Sequence, residues 1–200
     1  LENFGLKDHE LILFDSSTLI GMHHGNTKKL KPLRILLSEW KRLRIPKIGC
    51  IPDFIEEEAV NVEEHKFGNR YRIRRFLKRV EKGNMGFYVK LETPKEIYRR
   101  KRYIKLLPET LRRAISDEFY ELSSTDISLL IVGFYLHNNG VKTAILSSDA
   151  KLLEAAKRFK ITPYTPTSLC DEIKSYSGEV EALVEMRVLA KPENLGRIYH

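Results

Sequence analysis

The chain has 200 residues, 42% of them hydrophobic and 31% charged, and a formal net charge of +8, a balance that fits one globular domain and excludes a disordered or fibrous chain. No apolar run approaches the roughly 20 residues of a membrane-spanning helix, and no basic-then-apolar leader is visible, so a cytoplasmic protein without membrane contact is expected. Cys50 and Cys170 lack metal-type spacing and read as reduced core residues; Gln is absent while Lys, Arg and Glu abound, a bias associated with thermophile proteins.

Residues 11–14 are a short apolar run stopped by Asp15-Ser16-Ser17, which predicts a buried strand ending in a polar turn. A loop containing glycine and histidine follows; His23 and His24 have no partner at ligand spacing and read as part of its solvated surface. Leu33, Leu36, Leu37, Trp40 and Leu43 recur at helical spacing over 30–44. Residues 47–51 read as a second strand, and Pro52 suits the start of a helix over 53–65. A basic helix over 71–80, a third strand over 87–91 and a helix from Thr93-Pro94 to about 106 come next. Another helix follows Pro108. Ser124 or Thr125 caps a helix over 126–137 that is apolar nearly all round and therefore buried. Asn138-Asn139-Gly140 stops it before a fourth strand at 142–147. Asp149 caps a helix over 150–159, a fifth strand covers 161–164, and the tail from 168 reads as helical to about 189. Strands alternating with helices make the class α/β, with a mostly parallel sheet.

The charge is unevenly spread. Residues 66–113 hold 17 Lys or Arg against 4 Asp or Glu, a balance of +13, which leaves about −5 for the rest of the chain. Within that stretch the runs Arg70-Tyr71-Arg72-Ile73-Arg74-Arg75 and Tyr98-Arg99-Arg100-Lys101-Arg102-Tyr103 interleave aromatic rings with cations. Rings stack on unpaired bases while cations meet phosphates, so Arg70, Arg72, Arg74, Arg75, Arg99, Arg100 and Arg102 are candidate nucleic-acid contacts.

Four carboxylates stand out. Asp15 lies at the carboxyl end of the first strand, the edge where open α/β sheets bind ligands. Asp126 lies in the first turn of the buried helix and Asp149 at a helix cap, positions an acid also takes for purely structural reasons. Glu58 shares a face with Phe54 and Val62, four residues to either side, whereas Glu57 lies on the outer face with Asp53 and Glu64. A carboxylate facing inward is costly unless paired or bound to a cation. With a strand order 3-2-1-4-5, Asp15 and Asp149 leave adjacent strands at one edge, flanked by the helices of Glu58 and Asp126. Oxygen ligands of this kind suit magnesium or manganese. Competing motifs fail on particular residues. Ser17 replaces the second aspartate of the haloacid-dehalogenase motif, Leu19 replaces the last serine of the metal-adhesion motif, and no phosphate loop, Gly-x-Gly-x-x-Gly or Gly-x-Ser-x-Gly is present.

These segments resemble the PIN-domain ribonucleases. The run from Ile12 to Ile20 resembles that family's opening strand and Asp-Thr-Ser-x-Leu-Ile turn. The run from Ile51 to Ala59 is similar to its Pro-x-x-Val-x-x-Glu-Leu helix, which selects Glu58. Leu122 to Leu130 resembles the segment bearing the third acid, and Leu146 to Leu153 the Thr-Asn-Asp-x-x-Leu segment, with Ser147 in place of threonine. The resemblance spans about 11–166. It implies a three-layer α/β/α sandwich with a five-stranded parallel sheet in the order 3-2-1-4-5, a nuclease domain over 1–167 with a basic helical region at 66–113, and a helical extension over 168–200 packed on it. It further implies Mg²⁺ or Mn²⁺ held by Asp15, Glu58, Asp126 and Asp149, with Ser17 and Ser147 in support, and hydrolysis of single-stranded RNA leaving a 5′ phosphate. RNA is the expected partner; an antitoxin, a ribonucleoprotein or a second copy of the chain are further ones. The long basic stretch and tail set the chain apart from compact toxins. Two other functions stay open: a PIN-like module that binds nucleic acid without cutting, and a structure-specific DNA nuclease.

Overall fold

A strand buried on both faces reads as an unbroken apolar run, and β1 (Glu10–Phe14) is one, with Leu11 to Phe14 all buried. The computed structural model describes residues 10–24, 47–79, 88–91, 105 and 107–174. On either side of β1 lie β2 (Lys47–Pro52) and β4 (Thr143–Leu146), with β3 (Tyr88–Leu91) outside β2 and β5 (Thr162–Tyr164) outside β4. The sheet order is β3-β2-β1-β4-β5, and every neighbouring pair is parallel. The α/β class with a parallel sheet holds.

The order reverses at β1. Connections from β1 to β2 and from β4 to β5 run in opposite directions across the sheet, and right-handed crossovers therefore lie on opposite faces. The reversal opens a crevice at the carboxyl ends of β1 and β4, the position where such sheets take ligands. Phe14 pairs with Leu146 in register, so Asp15 and Ser147, the next residue on each strand, emerge side by side.

Helices occupy the connections between the strands and follow the last one. They are α1 (Ser16–His24), α2 (Asp53–Phe67), α3 (Arg70–Arg79), α4 (Glu109–Asp117), α5 (Ser124–Asn138), α6 (Ala150–Arg158) and α7 (Pro166–Lys174). The polar turn expected after β1 is instead the first turn of α1: Leu19 N–H donates to the Asp15 carbonyl at 3.2 Å. Ser16 and Ser17 are good first-turn residues, and Leu19 and Met22, three apart, bury α1 against the core. Helix α2 runs to Phe67, two residues beyond the expected end, and stops where Gly68 takes the left-handed conformation (φ +64°), which glycine adopts without a Cβ penalty. The chain then turns straight into α3.

Helix α5 is buried along Ile127, Leu129, Leu130, Ile131, Val132 and Gly133. A Cβ at Gly133 would stand 2.7 Å from Ile161 Cδ1 and 3.4 Å from Leu13 Cδ1, so the missing side chain lets α5 settle close to the sheet. Helix α7 begins at Pro166, earlier than the tail helix expected from 168. Thr165 and Ser168 close its first turn reciprocally: Ser168 N–H donates to Thr165 Oγ1 at 3.0 Å and Thr165 N–H to Ser168 Oγ at 2.9 Å. Its Leu169, Cys170 and Ile173 join the core of the sheet domain.

One buried charge is paired. Lys47, opposite Glu10 in register, meets the carboxylates of Glu10 and Glu172 and the Tyr164 hydroxyl. Burial pulls the Lys47 ammonium toward lower pKa, but its hydrogen bonds with Glu10, Glu172 and Tyr164 outweigh this and raise it. Both cysteines are buried and unbridged, and burial pushes each thiol up to about 12. Among the described residues, no helix is long and apolar enough to cross a membrane. The helix expected over 30–44 and the tail beyond 174 lie outside the described residues.

Candidate functional site

Asp15 is the anchor of the sheet edge. Its residue is 3% exposed, and a buried carboxylate needs donors. Three hydroxyls supply them: Ser17 Oγ and Ser147 Oγ donate to Oδ2, the latter at 2.8 Å, and Ser16 Oγ reaches Oδ1 at 3.5 Å. The strand pairing that places Ser147 there continues through Asp15 N–H, which donates to the Leu146 carbonyl at 3.1 Å. Ser147 is itself fully buried and receives the Asp149 N–H on its hydroxyl oxygen at 2.9 Å. Asp15, Ser147 and Asp149 thus form one chain of hydrogen bonds across β1 and β4.

Asp149 caps α6. Its Oδ1 accepts from Lys151 N–H at 2.8 Å and Leu152 N–H at 3.3 Å, satisfying two orphan donors of the first turn. Oδ2 receives no hydrogen bond from a described residue, and Asp149 is exposed. Cap and open oxygen coexist on one carboxylate.

Asp126 closes the start of α5 in a capping box. Ser123 Oγ accepts from Asp126 N–H at 3.1 Å, and Asp126 Oδ2 accepts from Ser123 N–H at 2.9 Å. Burial raises the Asp126 pKa above its ordinary 3.8, the Ser123 hydrogen bonds pull it back, and the charges of Asp15 and Glu58 push it up further. The charges of Asp15 and Glu58 are the smallest of these causes.

Glu58 is half-buried on α2, between buried Ile55 and Ala59, while Glu57 is exposed as expected. Among the described residues, no three of the four carboxylates bring ligand oxygens within 4.8 Å of one another. The structure links Asp15 and Asp149 through Ser147 but does not gather the four acids into one ligand cluster.

Arg70, Arg72, Arg74 and Arg75 are exposed along α3, and Tyr71 is 66% exposed with the Arg70 guanidinium 5.6 Å from its ring centre. Ile73, Phe76 and Leu77 bury the opposite side of that helix, which fixes the cations outward. Arg99, Arg100 and Arg102 lie outside the described residues.

His23 and His24 correct the sequence reading. They are not on a solvated loop but in the last turn of α1, where histidine suits the helix dipole. Both face Glu63: His24 Nε2 lies 2.8 Å from Glu63 Oε2 and His23 Nε2 3.7 Å from Oε1. Glu63 is 0% exposed, more deeply buried than any of the four acids singled out from the sequence. Its signal was present. Ile55, Ala59 and Glu63 are spaced by four, so the buried stripe of α2 runs through Glu63.

No protein-family model matches the chain, and no curated protein matches it either. Among solved structures it is similar to the crystal structure of PAE2754 from Pyrobaculum aerophilum, at 17% identity and a TM-score of 0.45, covering 84% of this chain and 97% of that one; a likeness that distant carries no argument about function.

Proposed function

We propose that the chain is a metal-dependent endoribonuclease with a PIN-like three-layer α/β/α domain, hydrolysing phosphodiester bonds of single-stranded RNA. The observation that carries this reading is the hydrogen-bonded chain from Asp15 through Ser147 to Asp149 at the carboxyl ends of β1 and β4, with the charges of Asp15 and Glu58 also acting on Asp126. Like charges gathered beside a buried carboxylate are a cost to the fold unless a cation shares the space.

The donor set fits a hard divalent ion. Asp15, Glu58, Asp126 and Asp149 offer only oxygens, and magnesium or manganese takes one or two carboxylates directly while keeping waters. When bound, such an ion activates a water and offsets charge on the leaving oxygen of an in-line displacement. The chain's own residues hold the geometry. Ser17 and Ser147 fix Asp15 through Oδ2 and leave Oδ1 with only the long Ser16 contact. Asp149 keeps Oδ2 open while its other oxygen is tied to α6. The exposed arginines of α3, with Tyr71, supply phosphate and base contacts to a single strand.

A second reading, a PIN-like module that binds nucleic acid without cutting, is favoured by one observation: Asp126 and Asp149 each have an architectural role as helix caps. The test is cleavage of labelled single-stranded RNA with Mg²⁺ or Mn²⁺, with EDTA, and with Asp149→Asn. Metal-dependent cutting lost in the variant supports the nuclease; binding without cutting on several RNAs supports the module.

A further inference from the structure

We propose that His23, His24 and Glu63 form a second metal site, separate from Asp15, Glu58, Asp126 and Asp149 and selective for a zinc-type transition ion. The Glu63 carboxylate is fully buried, and such a group is stable only when both oxygens are compensated. Oε2 has His24 Nε2 at 2.8 Å. Oε1 receives no hydrogen bond among the described residues; His23 Nε2 stands 3.7 Å from it, beyond hydrogen-bonding distance.

What surrounds Oε1 has the shape of a coordination shell. One nitrogen from each histidine and one oxygen of Glu63 all lie within 4.8 Å of one another. Tetrahedral zinc with ligands at about 2.0–2.1 Å separates neighbouring ligand atoms by roughly 3.4 Å. The 3.7 Å His23–Glu63 separation already approaches that, and the 2.8 Å His24–Glu63 contact opens by about half an ångström on metal entry. Two imidazoles and one carboxylate favour zinc, cobalt or nickel over magnesium, which prefers oxygen. Three protein ligands leave one position for water or an incoming group.

Aromatic rings lie against both histidines. The Phe67 ring lies 4.3 Å from that of His24 and the Phe76 ring 5.5 Å from that of His23, centre to centre. Phe76 is buried and shields the His23 side from solvent, whereas Phe67 is exposed. Ser16 and His24 are eight residues apart on α1, about 12 Å along the axis, so this site stands at the far end of that helix from Asp15. Phe67 and Phe76 flank Gly68, where α2 gives way to the arginine-bearing α3. An ion here ties α1 to α2 beside the root of the basic helix.

The test uses the full chain, without a polyhistidine tag, stripped with EDTA and titrated with Co²⁺ in place of Zn²⁺. One equivalent of Co²⁺ with visible ligand-field absorption, displaced by Zn²⁺, is the expected result. His24→Asn, on a part-exposed helix end, should remain folded by circular dichroism and weaken Co²⁺ at least about tenfold, since losing even an outer-shell partner of a metal ligand costs 10- to 100-fold. Glu63→Gln should abolish the absorption. Asp15→Asn and Asp149→Asn should leave it unchanged. No absorption with the folded wild-type chain, undiminished affinity in His24→Asn, or loss in Asp149→Asn in place of His24→Asn would each overturn the site, and would leave the histidines as ion-pair partners of Glu63 alone.

Discussion

Ser147 gives its hydroxyl hydrogen to Asp15 across the junction of β4 and β1, at 2.8 Å, and takes the Asp149 N–H on the same oxygen. Two acids 134 positions apart in the chain are thereby held by one side chain that is itself out of solvent. Ser147→Ala leaves the buried Asp15 carboxylate short of a donor, which should cost about 1–3 kcal/mol in urea unfolding. Combined with Asp15→Asn, the two changes should be non-additive by more than about 0.5 kcal/mol. Simple additivity would mean that the hydroxyl does not hold Asp15.

Asp149 has two roles on one carboxylate, and two substitutions separate them. Asparagine is as good an N-cap as aspartate, so Asp149→Asn should leave stability nearly unchanged while RNA cleavage falls by about 100-fold or more. Asp149→Ala should lose the same activity and about 1 kcal/mol of stability besides. Equal destabilisation by both, read from thermal unfolding, would contradict the cap geometry.

Asp126 makes a pH prediction. Its folded pKa lies above the ordinary 3.8, through burial and through the charges of Asp15 and Glu58. The folded state therefore binds the proton more tightly than the unfolded state. The ionised group subtracts from stability once pH exceeds the folded value, and that loss vanishes as pH falls below 3.8. Asp126→Asn keeps an oxygen for the Ser123 N–H, so at neutral pH it should melt roughly 2 °C above wild type, with the gap closing in acid. Added Mg²⁺ should raise the wild-type melting temperature more than the variant's. A gap that widens in acid would reverse the sign of the argument.

Much of the frame was legible because it rests on periodicity and chain stops. The buried run at Leu11 to Phe14, the near-continuous apolar helix after Ser123 and the cap at Asp149 each follow from local chemistry. Helix α1 was not legible. Ser16, Ser17 and Gly21 argue for a turn by propensity, and only tertiary burial of Leu19 and Met22 decides for a helix. That single difference hid the partners of Glu63, because His23 and His24 meet it only when α1 is folded and laid beside α2. The direction of Glu58 was closer to the mark: it is half-buried beside Ala59, yet the same spacing argument continued from Ala59 would have led to Glu63.

Gly133 tests how closely α5 lies on the sheet. Alanine should be tolerated, since its Cβ meets the movable end of Ile161 and alanine gains about 1 kcal/mol of helix propensity over glycine. Leucine should cost about 1–3 kcal/mol by overpacking against Leu13 and Ile161. Denaturant midpoints of the two variants check this, and a well-tolerated leucine would show that α5 can move off the sheet without loss.

The arginines of α3 should bind phosphate and carry little sequence information. Arg72 and Arg74 are exposed on a helix whose other side is anchored by Ile73, Phe76 and Leu77, so removing either guanidinium should leave the fold intact. Each replacement by alanine should weaken single-stranded RNA binding alike for all sequences and reduce the slope of log affinity against log salt by about 0.7, the value for one phosphate contact on a single strand. Tyr71→Ala should instead weaken binding by about 1–3 kcal/mol with little change in slope, since stacking on a base releases no counterion. Arg158, the last residue of α6 and paired with Glu118, is the control and should change neither quantity. Equal salt slopes for wild type, Arg72→Ala and Arg74→Ala would show that α3 is a solvated face, and the RNA path would then have to be sought elsewhere in the basic stretch.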